Sequence, residues 1–141
     1  STDGLDELST SASTQIWDVT SGSLRESLLA PSELGLKPAT LEQLRGGDAQ
    51  FNAQVVREIL AGRSDGNFAA IRDVVALNAA ATMVAYDAAK GAKRFGAVED
   101  PTVARISRAL PVAYSSLDTG AAKSLLDVWV SISQRYALAA N

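Results

Sequence analysis

Thirteen residues, Val74 to Tyr86, pass without a charge, inside a longer helical pattern from about Phe68 to Ala89 whose middle is apolar on every side. A helix of that kind has no face to offer water, so it is read as a buried central helix with the other elements arranged around it. The run is too short for a bilayer span and carries Asn78 and Thr82. Each must find hydrogen-bond partners there or cost stability. A loop carbonyl would satisfy either one, so both are assigned to structural locking rather than to a ligand.

The remaining elements follow from period and punctuation. Thr14 to Val19 and Leu24 to Leu29 are rich in β-branched and large apolar residues and flank Thr20-Ser21-Gly22-Ser23, the pattern of a hairpin. Trp17 and Val19 share one face and Ile16 the other, which implies a sheet packed on both sides. Pro31 opens a short turn ended by Gly35, and Thr40 caps another through Leu44. Asp48 is placed to cap a helix carrying Phe51, Val55, Val56, Ile59 and Leu60, with Gly62 as its stop. Val103, Ile106, Leu110, Ala113 and Leu117 make a further stripe, which Pro111 should kink rather than end. Leu125, Trp129, Ile132 and Tyr136 line a terminal helix. Trp17, Trp129 and Tyr136 are expected as core or seam residues.

Composition removes several classes of function. The net charge of −3 and scattered basic residues leave no nucleic-acid-binding face. Lys90, Lys93 and Arg94 cluster where cations complement a helix C-terminus. Without cysteine there is neither a disulfide framework nor thiolate chemistry, which fits a reducing cytoplasm. Without histidine there is no imidazole acid–base work and no histidine metal site.

The candidate residues for chemistry are Asp6 and Glu7, just past Gly4, although such a pair taken by itself is first read as a solvated acidic turn. Side chains of sequence neighbours diverge on strands and helices, so two adjacent carboxylates serve one ion only from a turn or loop. Magnesium suits such a pair, because it takes one or two carboxylates, keeps several waters and shares substrate phosphates. Asp3 is a weaker candidate ligand. Gly46-Gly47-Asp48 before a helix has the form of an anion site, but Asp48 as the cap would occupy those N–H groups and repel phosphate.

Gly4-Leu5-Asp6-Glu7-Leu8-Ser9 resembles the metal-binding motif of the anthranilate phosphoribosyltransferase family. The likeness continues, in order, through Leu34-Gly35-Leu36, Leu41-Glu42-Gln43-Leu44-Arg45-Gly46-Gly47-Asp48-Ala49, Asn52-Ala53 and Ile59-Leu60-Ala61-Gly62. It runs on through Arg72-Asp73-Val74-Val75, Leu77-Asn78-Ala79-Ala80-Ala81 and Asp118-Thr119-Gly120-Ala121-Ala122. The resemblance implies an α/β fold, namely the C-terminal part of the nucleoside phosphorylase/phosphoribosyltransferase large domain. Within it, residues 1–141 form a helix-rich piece with a β-hairpin near its N-terminus. The family's N-terminal helical domain and Gly-rich phosphate loop have no counterpart here.

The resemblance also implies transfer of the phosphoribosyl group of phosphoribosyl pyrophosphate to the amine of anthranilate, with release of diphosphate, in tryptophan biosynthesis. Asp6 and Glu7 would hold Mg2+ at the pyrophosphate. The chain alone is expected to be inactive and to self-associate in place of the missing half of its domain, whereas the full-length family forms homodimers. Its N-terminus, Ser1 to Thr10, is expected to be mobile. A pyrimidine nucleoside phosphorylase shares the architecture, but Leu-Arg-Gly-Gly-Asp and Leu-Asn-Ala-Ala favour the first reading. A non-catalytic, nucleic-acid-binding relative would need a basic surface.

Overall fold

In the computed structural model, which describes residues 1–139 with side chains as far as 137, an antiparallel hairpin joins β1 (Thr14–Asp18) to β2 (Arg25–Leu29). A 3-10 turn at Pro31–Leu34 follows, then four helices: α1 (Ala49–Leu60), α2 (Asn67–Ala89), α3 (Thr102–Asp118) and α4 (Ala121–Ala139). The chain is thus helix-rich with one hairpin, as its hydrophobic periods imply.

The core lies between α2 and α3. Ala76, Leu77, Ala80 and Val84 of α2 are buried with Ile106, Ala109, Leu110, Ala113 and Leu117 of α3. Alanines at successive turns let the two backbones approach closely, and residues three and four apart keep one continuous stripe at the contact. Ile59 of α1, Leu29 of β2, Leu36 and Phe95 close the cluster. Pro111 does not break α3, which runs through it to Asp118. On the flank, the Tyr114 hydroxyl donates to Asp73 at 2.6 Å, and Arg72 pairs with Asp118. Burial pushes the Tyr114 phenol up, and the Asp73 carboxylate adds to the effect.

Two expectations of burial are corrected. α2 is not enclosed: Val75 and Tyr86 are exposed on the side away from α3. By length and composition it is also long and apolar enough to cross a membrane, as core helices often are. The hairpin packs on one face only. Thr14, Ile16 and Asp18 turn inward with their partners Leu29, Ser27 and Arg25, while Trp17 and Leu28 face out. Trp17 is 63% exposed, Trp129 70% and Tyr136 74%, so none of the three is a core residue of this chain. Every residue of α4 from Asp127 to Ala137 is exposed.

A polar network fastens the hairpin to the helices. Asp18 accepts from Arg25 at 2.9 Å, from Thr20 N at 2.8 Å, from the Thr20 hydroxyl at 2.6 Å and from the Thr102 hydroxyl. Arg105, 1% exposed, reaches Asp18 at 3.4 Å and also donates to the Val84 carbonyl at 3.4 Å. One carboxylate therefore ties β1, β2 and α3 together, and Arg105 extends the tie to α2. Burial pushes the Asp18 carboxyl up, but the bonds from Thr102 and Thr20 and the charge of Arg25 outweigh it and hold it well below the usual carboxylate range.

Asp18→Asn leaves Arg105 buried without its counter-charge and is expected to cost about 3 kcal/mol. The folded-state carboxyl lies below its ordinary value of 3.8. Its stabilisation is therefore complete above that value and is lost as pH falls through and below it. Urea unfolding between pH 7 and pH 2 should show wild-type stability declining below about pH 4, with a shallower decline in the Asn variant.

Candidate metal-binding loop

The first thirteen residues form a loop tied at both ends. Thr2 N and the Thr2 hydroxyl both donate to the Ser13 carbonyl at 3.0 Å. The N-terminal ammonium donates to the Leu5 carbonyl at 2.9 Å. Asp3 folds back on the chain: one oxygen accepts from Leu5 N at 3.1 Å and the other from the Ser11 hydroxyl. Ser11 N donates in turn to the Ser9 hydroxyl at 3.0 Å. Desolvation raises the Asp3 carboxyl, but bonds from Ser11, Ser9 and the Leu5 N–H, with Ser1 adding to them, prevail and hold it well below the usual range. Both oxygens of Asp3 thus accept bonds that close the loop.

Past the motif the chain enters the protein. Leu8 N donates to Oδ1 of Asn78 at 3.2 Å, and Nδ2 of Asn78 donates to the Leu8 carbonyl at 2.8 Å. Ser9 and Thr10 are buried, and Ala39 N donates to the Thr10 carbonyl at 3.1 Å. The expectation of a mobile segment up to Thr10 is therefore corrected from Leu8 onward: these residues are packed and bonded. Locking by Asn78 is as expected, and the loop carbonyl that satisfies it is that of Leu8. What the sequence missed is which loop is locked. It is the one bearing the carboxylate pair, seventy residues away in the chain.

Asp6 and Glu7 stand between these anchors. Both are exposed, the chain bends at each, and neither carboxylate accepts a bond from another described residue. Among the described residues no three acidic side chains gather into a cage. Two unencumbered carboxylates on a bent, anchored loop are a partial shell of hard oxygens. That donor set fits magnesium, which keeps its waters and borrows phosphate oxygens, and does not fit an ion needing a full protein cage.

The glycines before α1 are engaged in structural contacts. Asp48 caps the helix by accepting from Phe51 N at 2.8 Å. The Asn52 amide grips Gly47, accepting from its N–H and donating to its carbonyl, both at 2.9 Å. A Cβ on Gly47 would lie 2.8 Å from the Phe51 ring, so close packing accounts for the glycine. A hollow of about 580 Å3 along α3, lined by Leu34, Ser107, Leu110, Pro111, Tyr114, Ser115 and Asp118, includes neither Asp6 nor Glu7.

Residues 1–123 match the family model described as glycosyl transferase family, a/b domain. An anthranilate phosphoribosyltransferase from Leifsonia xyli subsp. xyli is 43% identical over 129 residues, 92% of this chain and 35% of that protein. Its counterpart from Thermobifida fusca is 44% identical over 132 residues, 94% of this chain and 34% of that protein. Among solved structures, anthranilate phosphoribosyltransferase from Saccharomyces cerevisiae in complex with 4-fluoroanthranilate superposes with a TM-score of 0.64 at 26% identity. It covers 95% of this chain and 34% of that one. The chain spans about a third of the length of the curated relatives it matches.

Asp3→Ala removes the bonds from Leu5 N and Ser11 within the loop and none at Asp6 or Glu7. It is expected to lower stability by about 1 kcal/mol and to speed hydrogen exchange at Leu5. Any magnesium requirement should stay where it is. A shift in that requirement as large as one produced by Glu7→Ala would return Asp3 to the ligand set.

Proposed function

The chain belongs to the glycosyl transferase family, a/b domain, and from that premise we propose that residues 1–141 are the C-terminal part of the catalytic domain of a phosphoribosyltransferase. The parent protein joins the amine of anthranilate to C1 of the ribose of phosphoribosyl pyrophosphate. A C–N bond forms, the C1–O bond to diphosphate breaks, and diphosphate leaves with the electron pair while the amine gives its proton to solvent. The observation that carries this reading is the pair Asp6 and Glu7, exposed and without a partner among the described residues, on a loop anchored through Thr2, Asp3 and Leu8. Relatives named anthranilate phosphoribosyltransferase, over 40% identical along more than nine-tenths of the chain, support that choice of acceptor.

Asp6 and Glu7 are the residues that would hold magnesium. When bound, the ion offsets charge on the departing diphosphate, which is electrostatic catalysis without proton transfer. The absence of histidine is then no obstacle. The carboxylates' own task is geometric: to present oxygens from a fixed loop while leaving the rest of the coordination shell to water and phosphate. The phosphate loop and the anthranilate pocket belong to the other two-thirds of the parent, and a cytoplasmic location suits its biosynthetic role.

The exposed apolar surface bears on partners. Leu125, Trp129, Ile132 and Tyr136 recur along α4 at alternating steps of four and three, the spacing of a coiled-coil seam, and all are exposed. On the hairpin, Trp17 and Leu28 add to this surface. In the parent, the missing part of the same domain covers these faces; alone, the chain covers them with copies of itself.

In the parent protein, Asp6→Ala and Glu7→Ala should each lower turnover or raise the magnesium needed for half-maximal rate, with the melting temperature nearly unchanged because both residues are exposed. Steady-state rates over a magnesium titration test this; wild-type behaviour in both would dismiss the metal reading. The 141-residue chain by itself should consume no anthranilate, as followed by anthranilate fluorescence. It should also sediment as larger species with rising concentration, and Trp129→Lys or Leu28→Lys should shift it toward monomer. A strict monomer at every concentration would show that the chain covers its own apolar faces.

A further inference from the structure

Glu7 is fastened to the core through a single peptide. The N–H of the Glu7–Leu8 peptide donates to Oδ1 of Asn78 at 3.2 Å, and the carbonyl on the far side of Leu8 accepts from Nδ2 at 2.8 Å. The second hydrogen of Nδ2 goes to the Val74 carbonyl at 2.9 Å, so the amide has no donor to spare. Only one orientation of the amide meets all three partners. Turned over, it would set its NH2 against the Leu8 N–H and its oxygen against two carbonyls. Asn78 itself stands on α2, between the buried Leu77 and Ala80. Its own carbonyl accepts from the Thr82 hydroxyl at 2.9 Å. The clamp is therefore mounted on a helix whose Leu77 and Ala80 are fixed in the core.

We propose that Asn78 is a positioning residue for the carboxylate pair, fixing the plane of the Glu7–Leu8 peptide so that Asp6 and Glu7 meet metal and diphosphate without first being ordered. The inference rests on the reading of Asp6 and Glu7 as metal ligands. Its physical basis is entropy. A residue whose backbone is already fixed does not lose that freedom on binding, and the ordering of one residue corresponds to roughly tenfold in affinity. A polar side chain that served helix stability alone would not need to reach both the N–H and the carbonyl of a residue seventy positions distant. The Val74 carbonyl, within its own helix, already provides one partner.

The test uses the parent protein, with manganese as a spectroscopic stand-in for magnesium and phosphoribosyl pyrophosphate present. Manganese affinity is read by electron paramagnetic resonance, and amide exchange is read at Leu8 and Leu77. Asn78→Ala should speed exchange at Leu8, leave Leu77 protected and weaken manganese roughly tenfold. Because the effect passes through Glu7, the same substitution in a Glu7→Ala background should weaken manganese little further. Asn78→Asp keeps an acceptor for the Leu8 N–H but sets an oxygen against the Leu8 and Val74 carbonyls. It should also weaken manganese, and it carries the test if the Ala variant does not fold. Thr82→Val removes only the bond to the Asn78 carbonyl and should bind manganese as wild type does. Unchanged manganese affinity in the folded Asn78 variants, with Leu8 exchange accelerated, would overturn the proposal and leave a purely structural clamp. A loss that simply adds to that of Glu7→Ala would also overturn it. If Asp6→Ala and Glu7→Ala themselves leave manganese binding intact, the metal reading falls and takes this inference with it, an outcome distinct from the other two.

Discussion

Burial of one face of α2 against α3 is the contact on which the rest is assembled. Ala76, Leu77, Ala80 and Val84 meet Ile106, Ala109, Leu110 and Ala113, and small residues at successive turns let the helices lie close without leaving cavities. Each remaining part of the chain attaches to this pair by one identifiable device. Ile59 brings in α1, Leu29 the hairpin, and Leu36 and Phe95 the connecting loops. Loops gain their fixed conformations from that rigid base.

Two loops are held by one chemical solution used twice. Asn78 grips Leu8 and Asn52 grips Gly47, each by accepting from an N–H and donating to a carbonyl. A primary amide carries a donor and an acceptor side by side, so it can mimic a neighbouring strand for one residue of irregular chain. Both asparagines precede an alanine on a helix, and both hold a loop otherwise lacking secondary-structure partners. The Asp18–Arg105 network is a different solution with a different balance. Desolvating both charges is costly, Nε of Arg105 finds no acceptor among the described residues, and the net benefit lies in fixing the hairpin's orientation.

Much of this was legible in the chain itself. The helical pattern from about Phe68 predicts α2 to within a residue of its start, and Asp48, Gly62 and Pro31 mark their boundaries where the structure puts them. Those signals are local: a cap, a stop or a period acts over a few residues and needs no partner from elsewhere. Trp17, Trp129 and Tyr136, read as core or seam residues, are not core residues of this chain for the complementary reason. Hydrophobicity says that a side chain ought to be covered, but not that the covering surface lies within these residues.

The metal motif shows the same division more sharply. The sequence supplied the proposal for its chemistry: two adjacent carboxylates past a glycine, in a stretch that resembles a family's metal-binding motif, suit a hard cation. It also determined that Asn78, inside an apolar helix, had to be satisfied. Only the tertiary structure decided that Asn78 is satisfied by Leu8, that Asp3 accepts bonds within the loop, and that Asp6 and Glu7 are exposed and without a partner among the described residues. A hydrogen bond between residues seventy positions apart leaves no periodic trace in the sequence. It exists because the packing of α2 on α3 fixes where Asn78 stands, and the loop then pairs with its half-buried amide.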